Sequence, residues 1–136
     1  HRLPKVNHPV YYGGPILTNV VGVLHSTDFI LTSTNTLTED KVGFTLDRKM
    51  LEVIAKGQGP KNKMITLGMA NWTTGQLEEE LEHPRNPAMS WLIMDYDEKF
   101  VFGQLDEDKP DDLWERSVSE AIRAKTREIT SKVFKD

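Results

Sequence analysis

One segment in the middle of the chain constrains the fold more than any other, because it joins a strand pattern directly to a helix start. Met64–Met69 is a nearly continuous apolar run of strand length, which predicts a central strand covered on both faces. Thr73 and Gln76 have the Thr-x-x-Gln spacing of a capping box, while Trp72 and Leu77 have the spacing of a hydrophobic staple. The segment therefore predicts a β-strand followed by a helix whose N-cap is Thr73.

Gly75 is the residue of this segment that a helix start does not explain. A glycine in the first helical turn costs up to about 1 kcal/mol relative to alanine. The pattern therefore predicts that another group approaches this backbone closely, either a second protein segment or a ligand on the exposed N–H groups. Glu78 and the two glutamates that follow it disfavour a phosphate-rich ligand.

The other elements are predicted from periodicity and turn chemistry. Strands are predicted at Val10–Tyr12, Val20–His25 and Val42–Leu46, and a hairpin at Ser90–Tyr96 and Lys99–Phe102 with Asp97 and Glu98 as its turn. A helix is predicted from Arg48 to about Lys56. Asp47 is its expected N-cap and Gly57 its stop. A long C-terminal helix is predicted from Asp111, with acidic residues before it and basic residues at its end, as the helix dipole favours.

Composition indicates a single domain without disulfides. At 136 residues the chain has the size of one domain, with 38% hydrophobic and 28% charged residues. It contains no cysteine, which excludes thiolate sites and fits the reducing cytoplasm, where we expect the protein to act. No apolar stretch is long enough to cross a bilayer. The formal net charge of -4 is opposite in sign to that of most nucleic-acid binders, so DNA or RNA binding is disfavoured.

His25 is the most reactive side chain in a motif-like position, and Ser26 follows it directly. Neighbours in a strand point to opposite faces, so the pair is poorly placed to act as base and nucleophile, and a structural histidine is favoured. The Gly13-Gly14 pair favours a tight turn over an anion-binding nest, because the Lys-Ser/Thr ending of a phosphate-binding loop is missing. The histidines show no metal-ligand spacing, and no catalytic residue, cofactor or metal is assigned.

A series of short motifs occurs in a recognisable order along the chain. They are Pro9–Pro15, Gly22–His25, Leu67–Glu78, Ser90–Leu92, Phe102 and Trp114. Together they resemble the AlgH/YqgE family of bacterial and plastid proteins. The resemblance implies an α+β fold with a bifurcated, twisted and mostly antiparallel sheet that forms a pseudo-barrel flanked by helices. The family is named for a regulatory role in alginate production, and the resemblance brings no established catalytic residues.

Four features depart from the family pattern. Family members usually carry a strand-rich N-terminal segment, whereas only eight residues precede Pro9, so we expect residues 1–136 to be one AlgH-like domain that lacks this segment. The usual Gly-Tyr-x-x-Trp has Met69 at the tyrosine position, so any stacking role of that tyrosine is lost. The loop His83–Ala88 resembles an insertion, and the last helix continues past the point where relatives tend to stop.

Motifs without a catalytic set favour a non-enzymatic binding or regulatory protein, with an unidentified protein or small molecule as its partner and its oligomeric state left open. The candidate ligand pocket comprises Gly13, Gly14, His25, Trp72, Gly75, Gln76 and Glu78. The alternative is an enzyme of small-molecule or hydrolase type, with His25 as general acid or base oriented by Glu78 or Glu80. Sequence-specific DNA binding is a third class, suggested by the family name and opposed by the acidic charge.

Overall fold

The computed structural model describes residues 5–85, 90–103 and 112–133. The strands in these residues are β1 Val10–Tyr12, β2 Ile16–Ser26, β3 Asn35–Leu37, β4 Val42–Thr45 and β5 Lys63–Met69. The helices are α1 Arg48–Ala55, α2 Gln76–Glu82, α3 Glu98–Phe102 and α4 Asp112–Val133. The chain divides into two compact units: the first unit, His1–Asn71, contains these strands and α1, and the second unit, Trp72–Asp136, contains the other helices.

The first unit is built on one mixed sheet with the strand order β1-β5-β2-β4-β3. β1 pairs with β5 in parallel, and the other neighbouring strands are antiparallel. β2 shifts its register between Ile16 and Val21, and β1 and β3 are the edges of the described sheet. The α+β class, the mostly antiparallel sheet and the long C-terminal helix are therefore confirmed, and the sheet is open among the described strands.

The core of the first unit lies between α1 and the central strands. Asp47 caps α1 as predicted, because its carboxylate accepts the N–H of Lys49 at 2.9 Å. Gly57, with φ of 76°, ends the helix in the left-handed conformation. The buried cluster consists of Val23, Met50, Leu51, Ile54 and Ile65. These side chains fix α1 on one face of the sheet.

β5 is central, as predicted, but it is not covered along its whole length. It pairs with β1 on one side and with β2 on the other. Ile65 is 2% exposed in the core, whereas Leu67 is 39% exposed. The reason is the length of α1, since a helix of eight residues covers only the part of the sheet around Ile65. The prediction of a strand buried on both faces is therefore wrong at its second half.

The predicted hairpin over residues 90–102 is also wrong. Residues 90–97 have no regular secondary structure, and α3 occupies the place of the second strand. Asp97, which the sequence pattern places in a turn, is the N-cap of α3 and accepts the N–H of Phe100 at 3.0 Å. A side-chain cap here outweighs the β-propensity of the aromatic and branched residues that follow.

The long helix α4 is present as predicted, but most of its apolar side chains are exposed. Ala121 is 5% exposed, whereas the exposed fractions of Trp114, Ile122, Ile129 and Val133 are 75%, 52%, 54% and 66%. The acidic residues Asp106, Glu107, Asp108 and Asp111, predicted to precede this helix, lie outside the described residues. Within the described ranges, no helix combines the length and the apolar character needed to cross a membrane.

Candidate functional site

The seven candidate residues are divided between the two units. Gly13, Gly14 and His25 belong to the first unit, and Trp72, Gly75, Gln76 and Glu78 belong to the second. The surroundings of each residue within its own unit decide what that position can do. A single pocket that unites all seven residues stays a prediction.

The glycine pair at the end of β1 packs against the end of β5. Gly13 donates its N–H to the Leu67 carbonyl at 2.8 Å. A Cβ on Gly13 would lie 2.3 Å from the Gly68 oxygen, and a Cβ on Gly14 would lie 2.2 Å from the Met69 carbonyl carbon. These contacts give the Gly-Gly motif a role in close backbone packing within the first unit.

His25 lies on the inward face of β2, in the same row as Val23, and is 0% exposed. Its Nδ1 is 2.8 Å from the Ser26 carbonyl oxygen, and its Nε2 is 2.8 Å from Thr45 Oγ1. Since a carbonyl only accepts, Nδ1 of the neutral ring carries the proton and Nε2 accepts the Thr45 hydroxyl. Thr34 Oγ1 lies 2.7 Å from Thr45 Oγ1 and continues the chain of hydrogen bonds. Both ring nitrogens are therefore used inside the first unit, which fits a structural histidine.

Ser26 is turned away from the His25 ring and joins the end of β2 to the start of β5. Its Oγ donates to Asp28 Oδ1 at 2.5 Å and accepts the N–H of Asn62 at 3.0 Å. Asp28 Oδ2 accepts the N–H of Lys61 at 3.0 Å. The hydrogen bond from the Ser26 hydroxyl, together with that from the Lys61 N–H, lowers the pKa of Asp28 against the opposing effect of burial. The Ser26 hydroxyl is thus bonded to a carboxylate and not to the imidazole ring beside it.

Acid is expected to weaken the first unit through Asp28. A carboxylate whose pKa is lower in the folded than in the unfolded state stabilises the folded protein. The contribution is complete at pH values above the unfolded pKa, about 3.9 for aspartate, and it is lost as the pH falls through the folded-state pKa. Because Asp28 is exposed, we expect its carboxylate to contribute no more than about 1 kcal/mol to the free energy of unfolding. Urea unfolding followed by circular dichroism at about pH 7 and about pH 3 should show a smaller acid-induced loss for Asp28→Asn than for the unmodified chain. Equal losses in both proteins would contradict this role.

α2 begins later than the capping box predicts, and this changes the meaning of Gly75. The N–H of Gln76 donates to the Thr73 carbonyl at 3.0 Å, which closes a turn before the helix. Gln76 Oε1 accepts the N–H of Thr73 at 3.0 Å, so half of the capping box is present, but the N-cap is Gly75 and no side chain caps the helix. Gly75 has φ of 81°, and a Cβ on it would meet nothing within 4 Å. A left-handed backbone accounts for this glycine, and no other described segment of the chain approaches it closely. The approach of a ligand to its backbone stays a prediction.

Replacing Gly75 should therefore affect stability through backbone conformation. We expect Gly75→Ala to lower the unfolding free energy of the second unit by about 1–2 kcal/mol, and Gly75→Asn to lower it less, because asparagine tolerates the left-handed region better. Urea unfolding followed by tryptophan fluorescence reports on this unit, since the three tryptophans, Trp72, Trp91 and Trp114, all lie in it. An asparagine variant as unstable as the alanine variant would contradict the conformational explanation.

A pair of tryptophans, Trp72 and Trp91, shares one carboxylate in the second unit. Their ring centroids are 5.8 Å apart with an interplanar angle of 62°, an edge-to-face arrangement. Both indole N–H groups donate to Glu80 Oε2, each at 3.3 Å. Trp72 is half-buried and Trp91 is 47% exposed. These contacts therefore hold Trp91, near the start of residues 90–97, beside Glu80 of α2 while part of its ring faces solvent.

Exposed acidic residues precede Trp91 on α2, and exposed apolar residues follow it along the chain. Glu78, Glu79 and Glu82 on α2 are exposed. His83 Nδ1 lies 3.5 Å from the Glu79 carboxylate. Leu92 and Ile93 follow Trp91 and are 49% and 74% exposed. The exposed glutamates, Trp91, Leu92 and Ile93 form what we term the α2 surface. Its chemistry suits a ligand that is both positively charged and apolar.

A second feature of the second unit is a cavity of about 400 Å³ beside α3 and α4. It is lined by Phe100, Glu115, Arg116, Ser119, Glu120 and Arg123. The Arg116 guanidinium carbon lies 5.6 Å from the centroid of the Phe100 ring, within cation–π range. Charges of both signs line this cavity, so it favours neither an anion nor a cation. In the described parts of the chain, no three His, Asp or Glu side chains cluster as metal ligands would.

Comparison with known proteins identifies a family and a structural neighbour. A family model described as AlgH-like matches residues 1–124. The chain is 40% identical over 102 residues to a UPF0301 protein of Bradyrhizobium sp., a match that covers 75% of this chain and 45% of the relative. It is 38% identical over 108 residues to a UPF0301 protein of Rickettsia akari, covering 78% of this chain and 51% of the relative.

Among solved structures, the fold is similar to the solution structure of the AlgH protein from Pseudomonas aeruginosa. The TM-score is 0.64 at 30% sequence identity, and the match covers 87% of this chain and 55% of that protein. The chain thus spans about half the length of the relatives it matches.

Proposed function

The chain belongs to the AlgH-like family, and we propose that it is a non-enzymatic binding protein with a regulatory role, whose contact surface is the α2 surface. Of the candidate residues, Trp72, Gly75, Gln76 and Glu78 build or border this surface. The partner we infer is a protein segment that carries both basic and apolar side chains. Exposed glutamates would attract its charges, and Trp91 with its apolar neighbours would bury its apolar side chains.

The observation that carries this proposal is the double hydrogen bond of Glu80 to the tryptophan pair. Two indole N–H groups on one carboxylate oxygen fix both rings before any partner arrives. Rigid aromatic side chains lose little conformational entropy on binding, and tryptophan is enriched among the residues that dominate interface energies. A partly exposed, preorganised tryptophan accompanied by exposed glutamates and apolar side chains therefore favours binding as the function.

The enzyme alternative has less support from the geometry. His25 is fully buried, and both of its nitrogens have partners in the first unit, so neither is available to exchange a proton with a substrate. Glu80, one of its candidate orienting groups, already accepts two indole N–H groups. General acid–base catalysis by this histidine would require the first unit to open.

Titration calorimetry with two model peptides tests the proposal. One peptide has alternating lysine and leucine residues, and the other replaces every lysine by glutamate. We expect the basic peptide to bind, with an affinity that falls as salt screens the glutamates, and the acidic peptide not to bind. Trp91→Ala should lower the affinity for the basic peptide about tenfold or more, as the loss of an aromatic hot spot does. Glu78→Gln should lower this affinity less.

Two substitutions elsewhere in the second unit are matched controls. Trp114→Ala removes another exposed tryptophan, and Glu128→Gln removes another exposed carboxylate, both on α4. Neither should change the affinity for the basic peptide. The proposal fails if that peptide does not bind, or if Trp91→Ala weakens binding no more than Trp114→Ala does.

A further inference from the structure

The Glu80 carboxylate has one oxygen in use and one open. Its Oε2 accepts both indole N–H groups of the tryptophan pair. In the part of the chain that the structure describes, Oε1 accepts no hydrogen bond, and no basic side chain forms an ion pair with Glu80. The Tyr96 hydroxyl is the buried side-chain polar atom without a partner among those residues, so the unpartnered Oε1 is reached by solvent. A partner molecule can therefore place a donor on Oε1 while the indole N–H groups hold the carboxylate in position.

The charge around Oε1 selects a cation. Glu80 is half-buried, and Glu78, Glu79 and Glu82 of the same helix are exposed. These carboxylates repel an anion, and a carboxylate partly withdrawn from water attracts a cation more strongly than an exposed one does. The side chains that are cationic at neutral pH carry either an ammonium group, as lysine does, or a guanidinium group, as arginine does.

The hydrogen-bond geometry of Glu80 favours ammonium over guanidinium. A guanidinium binds a carboxylate best through two parallel N–H···O bonds, one to each oxygen. Oε2 of Glu80 already accepts two indole N–H groups at 3.3 Å each, so one oxygen is left for a partner. An ammonium is a compact point charge with rotatable donors, and a single acceptor oxygen is enough for it.

Trp91 adds an apolar contact for the chain that carries the ammonium. Its indole N–H donates to the Glu80 carboxylate and its side chain is 47% exposed, so accessible ring surface lies beside that carboxylate. Lysine packs its methylene stem along apolar surface while its charged end stays in polar surroundings. We propose that Glu80 and Trp91 form a binding site for an ammonium group on an alkyl chain, which in a protein partner is a lysine side chain. The ammonium site rests on the proposed function, because it names the group that the α2 surface recognises in its partner.

Titration of the full chain with small cations, followed by nuclear magnetic resonance, tests the ammonium site. The three indole N–H signals report on Trp72 and Trp91 at the site and on Trp114 away from it, on α4. Butylammonium is the end of a lysine side chain, butylguanidinium has the head group of arginine on the same alkyl chain, and butanol has no charge. We expect butylammonium to shift the signals of Trp72 and Trp91 to saturation and to bind about fivefold more tightly than butylguanidinium. Butanol should bind more weakly than both, and the Trp114 signal should not move.

The comparison of the two cations is stringent, because a guanidinium stacks on aromatic rings better than an ammonium does. Tighter binding of butylammonium would therefore be due to the single open oxygen of Glu80 and not to the ring of Trp91. This comparison uses the unmodified chain, so it does not depend on the folding of any variant.

Two variants locate the cation on α2. Glu80→Gln removes the charge but keeps an oxygen that can accept the indole N–H groups, and it should lower the affinity for butylammonium about tenfold. The matched control is Glu79→Gln, which removes the same charge from the neighbouring residue, where the carboxylate lies 3.5 Å from His83 Nδ1. It should lower the affinity about twofold at most, because solvent and salt screen an exposed carboxylate.

Three results would overturn the ammonium site. They are butylguanidinium binding as tightly as butylammonium, no shift of the Trp72 and Trp91 signals with butylammonium, and equal losses of affinity for Glu79→Gln and Glu80→Gln. The proposed function has a separate readout in peptide calorimetry. A basic peptide that binds, while the two small cations bind equally, would overturn the ammonium site alone. Saturable binding of butylammonium without binding of the basic peptide would overturn the proposed peptide partner instead.

Discussion

Gly68→Ala is expected to destabilise the first unit by about 3 kcal/mol or more. Gly68 has φ of 78°, a conformation that costs an alanine about 1–2 kcal/mol. The added Cβ would also lie 2.3 Å from the Gly14 oxygen, so one of two backbone segments has to move. Overpacking of this kind typically costs a further 1–3 kcal/mol or so. The expected consequence is a weaker β1–β5 pairing, visible in urea unfolding followed by circular dichroism and in faster amide hydrogen exchange of both strands.

Gly57→Ala is the matched control for this substitution. Gly57 has nearly the same backbone conformation, with φ of 76°, but a Cβ on it would meet nothing within 4 Å. It should therefore cost only the conformational part, about 1–2 kcal/mol. Equal losses for the two alanine variants would show that the approach of Gly14 to Gly68 does not contribute. The comparison separates two reasons for a glycine that sequence alone does not distinguish.

The first unit was largely predictable because its signals are local and consistent. The N-cap Asp47 and the stop at Gly57 lie within a few residues of the helix that they delimit, and β2, β4 and β5 coincide with short β-prone runs of the sequence. The degree of burial was less predictable. Whether Leu67 is covered depends on how far α1 reaches along the sheet, which no local pattern reports.

The second unit was predicted less well because its signals have two meanings. An aspartate followed by apolar residues, as at Asp97, is typical both of a hairpin turn and of a helix N-cap, and the structure contains the cap. The Thr-x-x-Gln spacing predicts a capping box with Thr73 as N-cap. In the structure only the Gln76 half of that box forms, and the left-handed Gly75 is the N-cap. Local patterns do not rank such alternatives.

The centre of the proposed contact surface depends on contacts that sequence patterns do not show. Glu80 bonds to a tryptophan eight residues before it and to another eleven residues after it. Both tryptophans lie outside α2, so neither contact follows from the periodicity of that helix, and Trp91 belongs to residues 90–97, which have no regular secondary structure. Trp91 is part of the family motif Ser90–Leu92, but nothing in the sequence indicates that it packs against Trp72.

His25→Leu is expected to lower the unfolding free energy of the first unit by about 2–4 kcal/mol. Leucine has a similar volume, so the main loss is of two buried hydrogen bonds, and a buried polar group left without a partner costs about 1–3 kcal/mol. The Ser26 carbonyl loses its donor, and the Thr45 hydroxyl loses its acceptor. Urea unfolding followed by circular dichroism gives the size of the loss.

A double-mutant cycle with Thr45→Val decides whether the loss comes from the hydrogen bond itself. Thr45→Val alone leaves His25 Nε2 without a donor in a site that is closed to water, so it should also be destabilising. In the double variant both polar partners are replaced by apolar groups, and the total loss should be clearly smaller than the sum of the two single losses. Additive losses would mean that the two side chains do not interact. Coupled losses would show that His25 stabilises the fold through its hydrogen bond to Thr45. A structural role would then explain this histidine without any substrate.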